Sequence, residues 1–133
     1  MGQSDDLKFE YRHGCLIVRA SGSYPIEHKE AAVRAIGEAM LARPIKAAII
    51  DGRKVDGPFS FMDRYQLGEL AGLHLKHAPV AVLARAEQTD KQLIGKLVAT
   101  NRGAKLEVFT VVADAEAWLR RHTPVESQAE VSL

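Results

Sequence analysis

The sequence predicts one α/β domain with the element order β-β-α-β-α-β-α-β-α. Three observations lead to this fold class: a hairpin signal near the N-terminus, short apolar runs after it, and stretches of helical periodicity between those runs. Alternating strand and helix signals are typical of a parallel sheet with right-handed crossovers, and a hairpin adds an antiparallel strand. We therefore expect a mixed five-stranded sheet with an antiparallel first strand and four helices.

The hairpin is predicted over residues 8–21. Apolar and polar residues alternate before His13-Gly14, where the glycine can take a positive φ, and four apolar residues follow the turn. A helix is then expected over 27–42, because apolar residues recur there at a spacing of three and four. Pro44 ends this helix, since the residue before a proline disfavours helical geometry.

Two buried parallel strands are predicted at 47–50 and 80–83. Each run has no polar interruption and is too short for a globular helix, so both are expected to be central strands. Between them, a helix is expected from Ser60 to about Lys76. Ser60 and Asp63 have the Ser-x-x-acidic spacing of a capping box, in which each side chain binds a free backbone N–H of the other.

The C-terminal third of the chain predicts one more strand between two helices. A Thr-x-x-Gln pattern beginning at Thr89 repeats the capping signal and predicts the start of the third helix. A final strand is expected at 106–112, and Asp114 is expected to cap the last helix. The single domain is expected to cover 1–122, and the polar segment 123–133 is expected to be a flexible tail.

Composition narrows the function classes. The chain has 133 residues, of which 18 are basic and 17 acidic, and its net charge of +1 provides no overall field for nucleic acid or an anionic membrane. Its apolar runs are shorter than the roughly 18 residues that a membrane-spanning helix needs. The single cysteine, Cys15, leaves no internal disulfide, and we expect it to be a small buried hydrophobe. Without a secretory signal at its start, the chain is expected to be cytoplasmic.

The segment 60–70, Ser-Phe-Met-Asp-Arg-Tyr-Gln-Leu-Gly-Glu-Leu, resembles the signature of STAS domains. This group includes sulphate-transporter tails and anti-sigma factor antagonists, and its signature is Phe-Met/Ile-Asp-Ser-Ser-Gly-Leu-Gly after a strand. In the family a partner kinase phosphorylates the second serine, and Tyr65 holds that position here. The resemblance therefore implies a module that lacks the phosphorylatable serine. The matching residues are Phe61, Met62, Asp63, Leu67 and Gly68, and the differing ones are Arg64, Tyr65 and Gln66.

Across most of the chain, the sequence resembles the SpoIIAA-like (STAS/SEC14) proteins more closely. Three short motifs carry this resemblance: Ile-Asp-Gly-Arg at 50–53, Asn-Arg-Gly at 101–103 and Ala-Trp-Leu at 117–119. The STAS resemblance implies a non-enzymatic interaction module, and the SEC14 part of the family name implies a carrier of a lipid or an anionic metabolite.

A candidate binding site lies at the carboxyl ends of the predicted parallel strands, where open α/β sheets bind ligands. Arg53, Arg64 and Arg85 are expected near that edge, together with the N-termini of the second and third helices. This combination favours a phosphate, a carboxylate or an acidic partner. The alternative is that these arginines pair with carboxylates nearby in the sequence. Those carboxylates are Asp51, Asp56, Asp63 and Glu87.

Two functions stay open. The first is a non-enzymatic interaction or regulatory module that binds a protein partner through the second helix and the loop before it, where Phe59 and Phe61 supply aromatic anchors. The second is a small carrier or sensor of a lipid or anionic metabolite, which needs a pocket of about 300 Å³ or more in a chain with little volume to spare. The candidate ligand- or partner-binding residues are Asp51, Arg53, Phe59, Ser60, Phe61, Arg64, Tyr65 and Arg85.

Catalytic and metal motifs do not stand out in the sequence. It has no nucleophile elbow, phosphate loop or zinc-protease helix, and we expect neither enzyme activity nor a cofactor. His74 and His77 are one turn apart, but no third ligand follows at a recognisable distance, so no metal site is predicted.

The second helix carries two apolar stripes, which cannot both face one sheet. Either the third helix covers the glycine-containing stripe within the monomer, or a second copy of the chain covers it in a homodimer. One stripe consists of Phe61, Tyr65, Gly68, Gly72 and Leu75, and the other of Leu67, Leu70 and Ala71.

Overall fold

A five-stranded mixed sheet is the central element of the computed structural model, which describes residues 6–56, 60–89 and 93–123. The strands lie across the sheet in the order in which they occur in the chain. The first two are antiparallel, and each later neighbour is parallel. The strands are β1 Asp6–Arg12, β2 Cys15–Gly22, β3 Ala47–Val55, β4 Val80–Leu83 and β5 Leu106–Phe109.

Four α-helices lie in the described residues, so both the predicted mixed sheet and the helix number are confirmed. The runs 47–50 and 80–83 belong to β3 and β4, which have neighbours on both sides, as expected of central strands. The expected tail at 123–133 lies outside the described residues except for Thr123. The helices are α1 Ile26–Ala42, α2 Phe61–His74, α3 Ile94–Asn101 and α4 Val112–Arg121, and a 3₁₀ turn covers Ala86–Gln88.

The sheet separates two apolar cores. Successive residues of a strand point to opposite faces, so Leu16 and Val18 pack on one side and Ile17 on the other. The first core joins the sheet to α1, α2 and α3. These three helices lie on one face because their crossovers are right-handed and each leads to the next strand in the same direction across the sheet. The second core joins the sheet to α4 through Ala115 and Leu119. The edge that carries the carboxyl ends of β3 and β4 therefore meets the N-termini of α2 and α3.

The hairpin turn and the start of α2 form as the sequence predicts. His13 and Gly14 have φ values of 51° and 77°, which is the two-residue turn that suits the twist of a hairpin. At α2, the backbone N–H of Asp63 donates to Ser60 Oγ at 3.0 Å, and the N–H of Ser60 donates to Asp63 Oδ2 at 2.9 Å. The capping box is therefore complete.

The third helix begins at Ile94, and the prediction of a start near Thr89 is wrong. The hydroxyl of Thr89 donates to the carbonyl oxygen of Ala86 at 2.8 Å, which closes the 3₁₀ turn. The residue before α3 is Leu93, which has a φ of 50° and makes no side-chain cap. The rest of the predicted capping pattern, at 90–92, lies outside the described residues.

Two strand ends also differ from the prediction. β3 continues to Val55 because β2 continues beside it. After a shift in register, Ser21 and Gly22 of β2 pair with Lys54 and Val55 of β3. β5 ends at Phe109 because β4 offers only four residues for pairing. As a result α4 begins at Val112, with Val111 rather than Asp114 as its N-cap.

Candidate functional site

The carboxyl edge of the sheet is held together by Gln88, a nearly buried side chain in the 3₁₀ turn. Its Nε2 donates to the carbonyl oxygens of Gly52 at 2.9 Å and Val55 at 2.8 Å. Its Oε1 accepts the backbone N–H of Arg85. The turn after β4 is thereby fixed to the end of β3. Sequence reasoning missed this residue.

Arg53 and Arg85 lie together at this edge, as expected, and each has a carboxylate close in the sequence as its partner. Arg53 donates to both oxygens of Asp51, at 2.9 and 2.8 Å, and Arg85 Nε donates to Glu87 at 2.7 Å. Arg85 also donates to the carbonyl oxygen of Arg53, which joins the two residues. The structure thus shows the ion pairs that the alternative interpretation required, and anion binding by these two residues stays a prediction.

The electrostatics of the edge follow from these contacts. The hydrogen bond from the Arg53 guanidinium lowers the pKa of Asp51 below its ordinary value, although partial burial acts in the opposite direction. The same interaction raises the pKa of Arg53. Away from this edge, burial raises the pKa of the Cys15 thiol to about 11, so Cys15 is the buried hydrophobe expected and a poor nucleophile.

Arg64 reaches the same edge from α2. Its Nη1 donates to the carbonyl oxygen of Gln88 at 2.6 Å. The neighbouring Asp63 pairs with Lys29 of α1, at 3.4 Å, instead of with an arginine. The hydrogen bond from the Ser60 backbone lowers the pKa of Asp63. Of the three candidate arginines, Arg64 therefore binds a backbone carbonyl oxygen at this edge, and the adjacent carboxylate of Asp63 pairs with Lys29.

The start of α2 presents an aromatic surface, which we define as Phe61, Met62 and Tyr65. The side chains of Phe61 and Met62 are 60% and 57% exposed. The rings of Phe61 and Tyr65 stack with their centroids 6.4 Å apart, and the guanidinium of Arg102 lies 5.9 Å from the centre of the Tyr65 ring. Phe59, the other predicted anchor, lies outside the described residues.

The glycines of α2 lie against α3. A Cβ atom at Gly68 would lie 2.5 Å from the carbonyl oxygen of Gly95, and one at Gly72 would lie 2.5 Å from Cβ of Arg102. No carbon atom fits at such distances, so the two helices are in backbone contact. α3 therefore covers the glycines of this stripe within the monomer, whereas Phe61 at its start is exposed, and the glycines cannot form the surface of the predicted homodimer.

A cavity of about 280 Å³ lies between the sheet and helices α1, α2 and α3. Most of its walls are aliphatic, and small residues such as Ala20, Ala32 and Ala71 leave the space open. The sequence signal for it was this set of alanines, which lie on the facing surfaces of β2, α1 and α2. The polar and charged side chains in its described lining are Tyr24, Lys29, Arg64, Gln88, Thr89 and Lys96.

In the described part of the chain, no group of three or more histidine, cysteine, aspartate or glutamate side chains is arranged to hold a metal ion. None of the helices in 6–56, 60–89 and 93–123 has both the length and the apolar character needed to cross a membrane.

These features define an open mixed α/β sheet with an N-terminal hairpin, three helices on one face and one on the other. The crystal structure of an anti-sigma factor antagonist from Mycobacterium paratuberculosis has this fold, with a TM-score of 0.62 and 20% sequence identity. The match covers 88% of this chain and 95% of that one. It confirms the STAS-like fold that the sequence resemblance implied, and at this identity it shows the fold alone. No protein-family model and no curated protein matches the sequence.

Proposed function

We propose that this chain is a non-enzymatic regulatory module that binds a protein partner through the aromatic surface at the start of α2. The exposure of Phe61 and Met62 on a capped helix start carries this proposal. A capped and packed helix holds these side chains in place, so little conformational entropy is lost when a partner covers them. The fold shared with an anti-sigma factor antagonist supports the same class of function.

Capture from a lysate of the source organism tests the partner surface. Phe61→Glu places a charge in the centre of the surface, and Leu73→Glu is the matched control, because Leu73 is 63% exposed on the same helix. We expect a protein that the wild type and Leu73→Glu retain and that Phe61→Glu loses. That protein is then purified and its dissociation constant measured with all three chains. If its affinity is the same for all three, the aromatic surface is not the binding site.

Regulation by serine phosphorylation is proposed to be absent. Tyr65 stands where the STAS signature has its phosphorylated serine, and the hydroxyl of Ser60 accepts a backbone hydrogen bond in the capping box. Incubation with serine kinases that act on anti-sigma factor antagonists, followed by mass mapping, is expected to leave Ser60 unmodified. Stoichiometric phosphate on Ser60 would refute this part of the proposal.

The second candidate function, a carrier of a lipid or anionic metabolite, is supported by the cavity. Its volume of about 280 Å³ is close to the lower limit of about 300 Å³ for ligand pockets. Native mass spectrometry of freshly purified protein tests it: a retained ligand mass is the expected result for a carrier. A mass equal to that of the bare chain would favour the interaction module alone.

The non-enzymatic role, the cytoplasmic location, the single domain and the homodimer also stay proposals. The absence of catalytic motifs supports a non-enzymatic role, and the single cysteine is consistent with a cytoplasmic location. A single domain over 1–122 accounts for both cores. Since α3 covers the glycines, a homodimer through α2 would have to use its exposed apolar residues, which include Phe61, Met62 and Leu73. Sedimentation at high micromolar concentration tests it.

A further inference from the structure

The cavity between the sheet and helices α1 to α3 is an open cleft with largely aliphatic walls. Walls without contacting atoms forfeit packing contacts that a bound apolar group would restore. An engineered apolar cavity of roughly 150 Å³ binds benzene, so by proportion a cavity of about 280 Å³ accommodates roughly eleven carbon atoms. The volume therefore fits one short apolar chain.

The lining of the cavity extends both along and across the strands. In the strand register, Leu106 pairs with Val80, and Val80 pairs with Ala48, so Leu106 lies at the level of Ala48. Leu106 lines the cavity, and so does Gly52, four residues further along β3. At about 3.3 Å per residue, the lining extends over roughly 13 Å along the strands. This length leaves room for a short extended chain, and residues of all five strands also line the cavity across the sheet.

The charged residues in the described lining of the cavity all have the same sign. Among the described lining residues, those with a formal charge are Lys29, Arg64 and Lys96, and all three are basic. They lie within the first four residues of α1, α2 and α3, so they gather at the carboxyl edge of the sheet, at one end of the cavity. The aliphatic walls extend away from this edge toward Leu75 and Leu106.

These basic groups already have acceptors within the protein. Lys29 pairs with Asp63, Lys96 lies 2.8 Å from Glu107, and Arg64 donates to the carbonyl oxygen of Gln88. A guanidinium has five N–H donors in a planar fork, so one arginine side chain can bind several acceptors, an oxyanion among them. The end of the cavity is therefore suited to an anionic head group.

We infer that the cavity binds a single acyl chain of about ten carbons, with its anionic head group at Arg64, Lys29 and Lys96. This inference rests on the carrier function proposed above and adds the chemical class of the ligand. A carboxylate and a phosphate monoester are the two head groups with the required charge. A chain without a charged head would fill the same space but would make no charge-assisted hydrogen bond to the basic groups.

Calorimetric titration with decanoate, decyl phosphate and decanol tests the ligand class. We expect one site per chain and an affinity for at least one of the two anions about ten-fold or more above that for decanol, because a charge-assisted hydrogen bond contributes at this level. The better of the two anions identifies the head group. Equal binding of all three probes would overturn the role of the basic residues.

Two pairs of variants localise the site. Ala32→Leu fills the cavity from α1 and is expected to weaken binding at least ten-fold, whereas the matched change at the exposed neighbour, Ala31→Leu, leaves it within two-fold. Arg64→Gln is expected to remove the preference for the anion, whereas Arg34→Gln, an exposed arginine away from the cavity, retains it. Equal binding within either pair would overturn the proposed location.

Variants are compared only after their thermal unfolding shows a cooperative transition. If Ala32→Leu or Arg64→Gln fails to fold, Ala20→Leu and Lys96→Gln test the same two features from β2 and α3. Native mass spectrometry distinguishes a failure of the proposed ligand class from a failure of the carrier function. A retained mass that decanoate and decyl phosphate do not displace would refute the ligand class and leave the carrier function standing. No retained mass and no binding of any probe would refute both.

Discussion

The ion pair between Asp51 and Arg53 fixes the end of β3 at the carboxyl edge of the sheet. Asp51 Oδ1 accepts both the backbone N–H and the Nε–H of Arg53, and its other oxygen accepts from Nη2. The Asp51 side chain is only 15% exposed, whereas that of Arg53 is 39% exposed. The pair is therefore partly screened by solvent, and its contribution to stability is modest.

Replacement of Asp51 by Asn is expected to lower the free energy of unfolding at neutral pH by about 1 kcal/mol. Folding lowers the pKa of Asp51, so the pair stabilises the folded state at pH values above the ordinary aspartate pKa of about 3.9. This contribution is lost as the pH falls through the lower pKa that Asp51 has in the folded state. Urea unfolding from pH 7 down to pH 3 should therefore show the difference between wild type and variant shrinking. The control is Glu87→Gln at the more exposed Arg85 pair. A difference that does not vary with pH would contradict this assignment.

Residue-level contacts could be predicted from the sequence only where the partners are close in the chain. Asp51 and Arg53 are two residues apart, so their pairing was one of two stated alternatives. Gln88 binds carbonyl groups 33 and 36 residues away. No local pattern encodes such a contact, because it depends on the register of β3 against β4 and on the 3₁₀ turn that follows.

The second helix is the element on which the proposed functions converge. Its capped start presents Phe61 and Met62 to solvent, its first turn supplies Arg64 to the cavity, and its glycines allow α3 to pack in backbone contact. Phe61 and the glycines lie on one stripe of the helix, Phe61 at its start and the glycines further along, and Arg64 projects beside this stripe. The position of α2 therefore affects both the aromatic surface and the cavity.

Replacement of Gly68 by Ala tests the close packing of α2 against α3. In an open helix this change adds about 1 kcal/mol of stability. Here the new methyl group would lie 2.5 Å from the Gly95 carbonyl oxygen, so the helices must separate, and we expect a net loss of about 2 kcal/mol in the free energy of unfolding. Leu73→Ala, at an exposed position of the same helix, should change it by no more than about 0.5 kcal/mol. A more stable Gly68→Ala variant would contradict the packing.

The two predicted helix caps show how far a local pattern determines an element. Ser60 and Asp63 meet the backbone of α2 because a helix follows directly. The pattern at Thr89 has the same spacing, yet the chain first forms a 3₁₀ turn, in which Gln88 binds β3 and Thr89 closes the turn. The tertiary bonds of Gln88 outweigh the local preference, and α3 begins at Ile94.

At the scale of the whole molecule, the covering of the parallel strands on both faces followed from hydrophobic patterning, whereas the strand order and the cavity did not. The uninterrupted runs in β3 and β4 identify strands covered on both faces, which α1 to α3 and α4 provide. The cavity is the volume left over by side chains from three helices and several strands. A chain of this length is expected to have little spare volume, and the alanines at 20, 32 and 71 leave the space open.

The central claim is that the start of α2 is the binding surface. Hydrogen-exchange mass spectrometry tests it on the chain alone and on the chain with the purified partner, which is the protein that the wild type retains and Phe61→Glu loses. The account predicts slower exchange in the peptide covering 60–68 when the partner is bound and unchanged exchange in Val112–Arg121, on the opposite face of the sheet. The Phe61→Glu chain at the same concentrations should show no protection. Protection confined to Val112–Arg121, with 60–68 unchanged, would contradict the account.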